Sequence, residues 1–343
     1  MNPTLAKVAV VILNWNGRKL LEEFLPSVVN SVPNYAKVYV ADNDSTDSSL
    51  DFLKECYTDV GIIVNEKNFG FAGGYNRCLK NIEEEYIVLL NSDVECSPNW
   101  VEPIIDLMDQ DDSIGACQPK IMDYKNKSSF EYAGAAGGFI DSMGFPFCRG
   151  RIFNDLEEDK GQYEENIEIF WATGACLFIR NKVFKVLEGF DEGFFAHMEE
   201  IDLCWRIQRM GLKLYCVPSS KVFHLGGGTL KKINPQKSYL NFRNNLLMLV
   251  KNSPMKGFTL RIFVKLVLDG IAGIKFLLEG SPLHTWSVIK AHFYVYRHLG
   301  SVLKQRRKLK KQFGFKNLDT IYPKSIVASH YLLGKKTFKE LDF

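Results

Sequence analysis

The stretch "YIVLLNSDV" at residues 86–94 decides the fold. Five apolar or aromatic residues follow the acids Glu83-Glu84-Glu85, and the run closes on Asn91-Ser92-Asp93. A short continuous apolar run bounded by polar residues reads as a strand buried on both faces. Its polar close is then the strand's exit. Asn, Ser and Asp are turn formers that bond their own backbone, so the tripeptide alone says no more than "turn".

The chain upstream gives it a context. "KVAVVIL", "AKVYVADN" and "GIIVNE" are β-branched runs, and "RKLLEEFLPSVV", "SLDFLKECY" and "AGGYNRCLKNIEEE" are helical patterns between them. Strand and helix alternating over the first 120 residues predict an α/β fold: a mainly parallel sheet with helices on both faces. After Asp93 a helix is expected to open at Ser97-Pro98 and to carry Trp100, Ile104, Ile105 and Met108 at helical spacing. Residues 122–166, rich in Gly, Asp, Glu and Lys, read as a long irregular excursion. Regular structure resumes at "IEIFWATGACLFIR", a helix from Asn181, "MEEIDLCWRIQRM" ended by Gly211, and "LKLYCVPSSKVFHL".

From about residue 236 the pattern turns to long apolar and basic helices, which predicts two parts: 1–235, and a C-terminal helical extension, 236–343. "GFTLRIFVKLVLDGIAGIKFLL" is interrupted by Arg261, Lys265, Asp269 and Lys275, charges that a spanning helix tolerates poorly. An amphipathic helix on protein or on a membrane surface fits better. "SVLKQRRKLKKQFGFK" holds seven Lys or Arg and no acid, which is either a solvated face or a contact for anionic lipid.

Composition narrows the class. The 343 residues are 46% hydrophobic and 24% charged, with a formal charge of +3, too mild to argue for a nucleic-acid partner. The eight cysteines are scattered without a Cys-x-x-Cys pair, as expected of reduced core thiols. The N-terminus has no secretory pattern, so a cytoplasmic location is expected.

In an open α/β sheet, ligands bind beyond the carboxyl ends of the strands. Those ends read Asn14-Trp15-Asn16-Gly17, "ADNDSTDSS", "NEKNFGFAGGYN" and Asn91-Ser92-Asp93. None of them is a dinucleotide fingerprint or a P-loop. Asp93 suits a divalent cation shared with diphosphate oxygens, with Asn91 adding an amide oxygen or orienting the shell. Asp42 is either a capping acid or the acceptor for a pyrimidine ring N–H. Glu199, Glu200 and Asp202 lie in a first helical turn, where the dipole favours acids, and Asp202 has Arg206 at i+4 for an ion pair. The apolar residues around that helix imply burial, however, and a buried carboxylate in a cleft is a candidate base. His224 precedes a triple glycine suited to a loop that opens and closes.

With these motifs in order, residues 5 to 230 resemble the bacterial family 2 glycosyltransferases of GT-A (Rossmann-like) fold, in particular their rhamnosyltransferase-like branch. The resemblance implies an inverting, metal-dependent hexosyltransferase that moves a sugar from a nucleoside-diphosphate donor, dTDP-rhamnose or a UDP-sugar, to a glycan hydroxyl. It places Asp42 on the base, and Asn68, Gly73 and Asn76 along the nucleotide. Asn14 is counted in the same set by its position at the strand end. Asn91 and Asp93 stand for the family's Asp-x-Asp motif, so Mg²⁺ or Mn²⁺ rests on Asp93 with help from His224. The catalytic base falls on Glu200, with Glu199 as its rival where relatives have Glu-Asp. Gly174 and Ala175 border the acceptor cleft and are grouped with the donor-binding residues.

A lipid-linked glycan acceptor in cell-surface polysaccharide synthesis, at the inner face of the membrane, follows as the expected setting. A sugar-1-phosphate nucleotidyltransferase would need a glycine-rich phosphate loop after the first strand, which is absent here. A non-catalytic carbohydrate- or membrane-binding module would keep the fold without needing Asp93, Glu200 and His224 together.

Overall fold

A computed structural model of the chain describes residues 6–226 and 234–343. Four parallel strands form the first half of a large sheet: β1 (Val8–Asn14), β2 (Ala36–Asp42), β3 (Gly61–Val64) and β4 (Tyr86–Asn91), in the order β4-β1-β2-β3. Their connections are α1 (Arg18–Val29), α2 (Ser49–Cys56) and α3 (Gly70–Cys78). Alternate residues of the central strands face opposite cores. Ala9 and Val11 of β1, with Ile87 and Leu89 of β4, join one. Val8, Val10 and Ile12, with Val88 and Leu90, join the other. That two-sided burial is why these runs read as continuous apolar stretches.

Past β4 the chain reverses through Ser92-Asp93 into a three-residue strand, β5 (Val94–Cys96), which the sequence pattern did not reveal. The next helix, α4 (Glu102–Gln110), has its proline, Pro103, in the first turn, so it begins later than the Ser97-Pro98 start expected above. Ser97 and Pro98 belong to a turn instead. Trp100, Ile104, Ile105 and Met108 are nonetheless all buried in the same core.

The second half of the sheet is mixed. β6 (Ile114–Asp123) is followed by β7 (Gly138–Asp141), β8 (Pro146–Cys148), β9 (Arg151–Ile152) and β10 (Asp155–Leu156), then β11 (Ile167–Glu168) and β12 (Cys176–Arg180). β12 enters antiparallel between β4 and β6, and the long β13 (Lys213–His224) runs parallel to β6. β7 to β10 build a separate small sheet, completed by β14 (Ile321–Tyr322) from the far C-terminus. Residues 122–166 are therefore not an irregular excursion. Their Phe130, Phe139, Phe147 and Ile152 are buried, and Trp171 packs with them. The segment looked irregular because its strands are two to four residues long, below the length at which alternation shows.

α5 (Asn181–Val186) and α6 (Glu199–Met210) cover the first core, and Gly211, at φ +93°, caps α6. α7 (Pro235–Asn252), α8 (Phe258–Leu278), α9 (Pro282–Phe313) and α10 (Ile326–Tyr331) complete the chain. Among the described residues, no helix is long and apolar enough to cross a membrane. Seven of the eight cysteines are buried thiols.

α6 and α7 are joined through buried charge. Asp202 accepts from Arg206 Nε at 2.8 Å and from Asn252 Nδ2 at 2.7 Å, and Lys251 Nζ lies 2.8 Å away. Lys251 also reaches Asp191 at 2.7 Å. The i+4 ion pair read from the sequence is thus one edge of a larger network. Replacing Asp202 with Ala leaves Arg206 buried without its anion and Lys251 with Asp191 alone. Asp202→Ala is expected to lower unfolding free energy by about 3–5 kcal/mol, read from urea denaturation.

Candidate active site

The parallel strands end level. Register pairs Asn14 with Asp42, Asp42 with Val64, and Leu13 with Asn91. Every polar exit residue therefore emerges along one sheet edge.

At the β1 and β2 exits, Asn14 Nδ2 donates to Asp42 Oδ1 at 3.1 Å and to Ser45 Oγ at 3.2 Å. Asp42 Oδ2 accepts from the Ser45 amide at 2.9 Å, which folds the acidic loop back over the strand end. Gly17 is required beside it, because a Cβ there would stand 2.4 Å from Asn14 Oδ1. The β1 exit is closed by its own residues: Asn16 Oδ1 accepts from the Thr46 amide at 2.7 Å. Asn43, given no role above, organises the next loop. It donates to Asn68 Oδ1 at 2.9 Å and to the Gly70 carbonyl at 3.1 Å, and Asn65 donates to it at 3.2 Å.

Gly73 is buried in α3, where a Cβ would meet Phe69 Cβ at 2.9 Å. Asn76 points elsewhere. Its amide donates to the Phe190 carbonyl at 2.9 Å and accepts from the Phe190 amide at 2.8 Å, pinning the turn before α6. The structure thus spends Asn76 on the protein's own backbone and does not bring it to the strand-end cluster.

At the β4 exit, β5 pairs antiparallel with β13 and sets Val94 opposite His224. That register lays His224 Nε2 3.2 Å from Asp93 Oδ1 and 3.4 Å from Asn91 Nδ2. The other ring nitrogen lies 3.4 Å from Glu131 Oε1. Burial opposes charge on His224, but the Asp93 and Glu131 carboxylates outweigh it and push its pKa up to about 10. Glu131 was not anticipated; the only sequence signal for it is a lone acid between Phe130 and Tyr132. Of the triple glycine, Gly227 and Gly228 lie outside the described residues.

The donor set around Asp93 suits a divalent cation shared with a ligand. Asp93 and Asn91 supply a carboxylate and an amide; His224, charged while it faces Asp93 and Glu131, would add a ring nitrogen only where a cation displaces its proton. Among the described residues no group of three or more His, Cys, Asp or Glu side chains stands ready to hold a metal ion by itself.

Between the two ends of the cluster run Gly174 and Ala175. The Ala175 carbonyl accepts from the Asn91 amide at 3.0 Å. A Cβ at Gly174 would stand 3.1 Å from Phe71 and 3.9 Å from Glu200, so this glycine lets the start of α3 and the acid helix approach one another.

The acid helix starts from a strained loop. Phe195, His197 and Met198 have φ of +64°, +68° and +71°, conformations that cost non-glycine residues energy and persist only when surroundings enforce them. The restraints are visible. The Phe195 carbonyl accepts from the Phe71 amide at 3.0 Å. Asn244 Nδ2 of α7 donates to the carbonyls of Phe194, Ala196 and His197 at 3.0, 2.8 and 2.7 Å. Arg243 adds a bond to the Phe194 carbonyl at 2.8 Å. Neither α7 residue had a sequence signal, since both lie in a helix with no motif.

Glu199 and Glu200 follow this loop, and each has a buried Oε2 without a hydrogen-bond partner. Burial raises Glu200 to about 7. Burial, and then the charge of Glu200, hold Glu199 well above the ordinary carboxylate range. Desolvation lowers neighbouring His197 to about 4, so its ring is neutral at physiological pH. Buried polar atoms are ordinarily paired. His197, like Glu199 and Glu200 after it, has a buried side-chain atom without a hydrogen-bond partner.

The sheet thus gathers its polar exits on one edge, and α6 carries two buried carboxylates of raised pKa. The sequence profile of Glycosyl transferase family 2 matches residues 9–187, more than half of the chain, and the protein belongs to that family. It is 25% identical over 229 residues to the N-acetylglucosaminyl-diphospho-decaprenol L-rhamnosyltransferase of Mycobacterium tuberculosis, covering 63% of this chain and 75% of that one. To rhamnosyltransferase WbbL of Escherichia coli it is 22% identical, covering 63% of this chain and 83% of the relative. Both relatives are rhamnosyltransferases by name, and the likeness supports that branch of the family.

Among solved structures, GalNAc-T7 with UDP, GalNAc and Mn²⁺ aligns with a TM-score of 0.56 at 18% identity, over 73% of this chain and 49% of that one. The chain thus spans about half the length of that neighbour. S. aureus TarS 1–349 aligns with a TM-score of 0.53 at 13% identity, over 96% and 92%. The fold is GT-A.

Folding exacts a cost for ionising Glu199. Its folded pKa lies above the ordinary value of 4.5, so the native state holds a proton that the unfolded chain releases, and stability falls as pH rises past that value. Glu199→Gln is expected to raise the melting temperature at pH 8 by a few degrees, the shift that roughly 1 kcal/mol produces in a protein of this size. At pH 4, where both states are protonated, the gain should disappear.

Proposed function

We propose that the protein is an inverting glycosyltransferase that moves a sugar, rhamnose from dTDP or another hexose from UDP, onto a hydroxyl of a lipid-linked glycan. The observation that supports this reading is the Gly174-Ala175 link, whose glycine packs against Glu200, one of two unpartnered carboxylates of raised pKa, and whose alanine carbonyl accepts from Asn91. Two close relatives in name, both rhamnosyltransferases, support the sugar class, and one is named for a decaprenol diphosphate acceptor.

In this reading Asp42 and the loop around Asn43 and Asn68 receive the nucleoside, with Asn14 and Gly73 beneath them. The diphosphate lies toward Asp93. Asp93, His224 and Asn91 would hold Mg²⁺ or Mn²⁺, which when bound stabilises the charge on the departing nucleoside diphosphate. Two GT-A neighbours have Mn²⁺ with their nucleotides, in line with that donor set. Glu200 takes the proton of the acceptor hydroxyl as its oxygen attacks the anomeric carbon from the face opposite the leaving group. Glu199 is the more deeply buried of the two, and burial and the charge of Glu200 hold its pKa well above the ordinary carboxylate range, which suits it less to the role of base. Gly174 and Ala175 leave room for the acceptor. The site faces the membrane that carries that acceptor, at its cytoplasmic side.

Glu200→Gln is expected to lower kcat by roughly 10²- to 10⁴-fold with donor KM little changed, because a general base acts in the transition state and not in donor binding. Turnover equal to wild type would transfer the role to Glu199 or remove it from this helix. With Glu200 at about 7, wild-type kcat should rise with pH through that value and level off above it, since the base works only when deprotonated.

A further inference from the structure

α8 is built inside out. Lys265 and Asp269 are 2% and 1% exposed, paired at 2.6 Å on the protein side of the helix, with His292 of α9 3.3 Å from Asp269. The solvent side carries Leu260, Phe263, Val267, Ile271, Ile274 and Leu278, from 47% to 83% exposed. From Leu260 to Ile274 no exposed residue of α8 bears a charge. A helix facing water shows the opposite arrangement. At about 1.5 Å per residue, the stripe from Leu260 to Leu278 is roughly 27 Å long.

The face does not stop at one helix. α9 returns against α8, clipped by a bond from Thr285 Oγ1 to the Gly273 carbonyl at 2.7 Å. It adds Leu283, Trp286 and Phe293, all exposed. At the far end of α8, Lys275 Nζ lies 5.6 Å from the ring of Tyr331, beside exposed Leu332 and Leu333. An apolar surface of this continuity is not a feature of a wholly hydrated protein.

Charge identifies what covers it. Residues 234–343 hold 20 Lys and Arg against 5 Asp and Glu, whereas residues 1–233 hold 23 against 35. Exposed Lys256, Lys275, Lys290 and Arg297 lie on the same two helices or just before them. A second copy docking face to face would bring two basic rims together, while an anionic bilayer complements both the apolar stripe and the rim.

We infer that the α8–α9 hairpin is a membrane-insertion face, lying in the headgroup boundary of an anionic bilayer with the stripe of α8 turned into the acyl region. The contact is made by this inverted helix and not by the basic segment 301–316 alone, so it persists when salt screens the charges. The inference deepens the membrane-surface part of the proposed function, and it is tested on lipid without substrate, so that it and the transfer chemistry fail separately.

The test is co-sedimentation of the full chain with vesicles of phosphatidylglycerol and phosphatidylcholine, at low and at molar salt, beside Trp emission. Wild type is expected to bind, to prefer the anionic vesicles, to retain part of its binding at molar salt, and to shift its emission to the blue. The double variant Phe263→Glu/Ile271→Glu, at positions open to water, should keep the wild-type melting temperature and monomer sedimentation. Its partitioning should fall by at least roughly tenfold, given the apolar area withdrawn from lipid. Three results would overturn the inference: no wild-type binding at low salt, binding abolished by salt and unchanged in the variant, or a dimer of the wild type that the variant disrupts.

Discussion

Burial of the central strands on both faces is the constraint from which the rest follows. β1 and β4 have no side open to water, so their polar residues can stand only at the ends. Because β1, β2, β3 and β4 are parallel and in register, those ends fall on one edge, and Asn14, Asp42 and Asn91 emerge together. The tight reversal through Ser92-Asp93 then lets β5 pair with β13, which brings His224, far away in sequence, to Asp93. A one-residue slip of that pairing would turn His224 away from the carboxylate.

The acid helix depends on a second constraint, supplied from the C-terminal part of the chain. Phe195, His197 and Met198 hold left-handed backbone conformations. The Phe71 amide and Asn244 fasten the carbonyls of this loop. The Asp202 network fixes α6 to α7 one turn further on. A helix outside the family-matched residues is thereby part of the apparatus that orients Glu199 and Glu200. The same C-terminal part presents the inverted face of α8, so the acid pair and the outward apolar surface share one support.

The sequence made the parallel half legible because each of its strands is a β-branched run and each connection an amphipathic helix. α1 and α2 begin where their patterns begin, and Asp202–Arg206 was readable from helical spacing alone. The small sheet was not, since strands as short as Arg151–Ile152 and Asp155–Leu156 carry no period, and its last strand comes from residue 321. The start of α4 was misplaced because Ser97-Pro98 and Glu102-Pro103 are both good openings, and packing of Trp100 selects the second. Glu131, Asn43 and Asn244 were missed for one reason: each acts through a partner at least 22 residues away, and a single chain shows no such pairing. For α8 the charges were read as interruptions, but only the fold shows that Lys265 and Asp269 point inward while Lys275 stays exposed.

The central claim is that the strand-end cluster binds a nucleoside diphosphate with a divalent cation. It is tested most directly by thermal shift with UDP, dTDP, GDP and CDP, each with and without Mn²⁺, on wild type and on Asp93→Ala. A ligand that binds only the native state must raise its melting temperature. A Mn²⁺-dependent rise with UDP or dTDP that Asp93→Ala abolishes is the predicted result. No shift with any nucleotide, or a shift indifferent to both Mn²⁺ and Asp93, would contradict it.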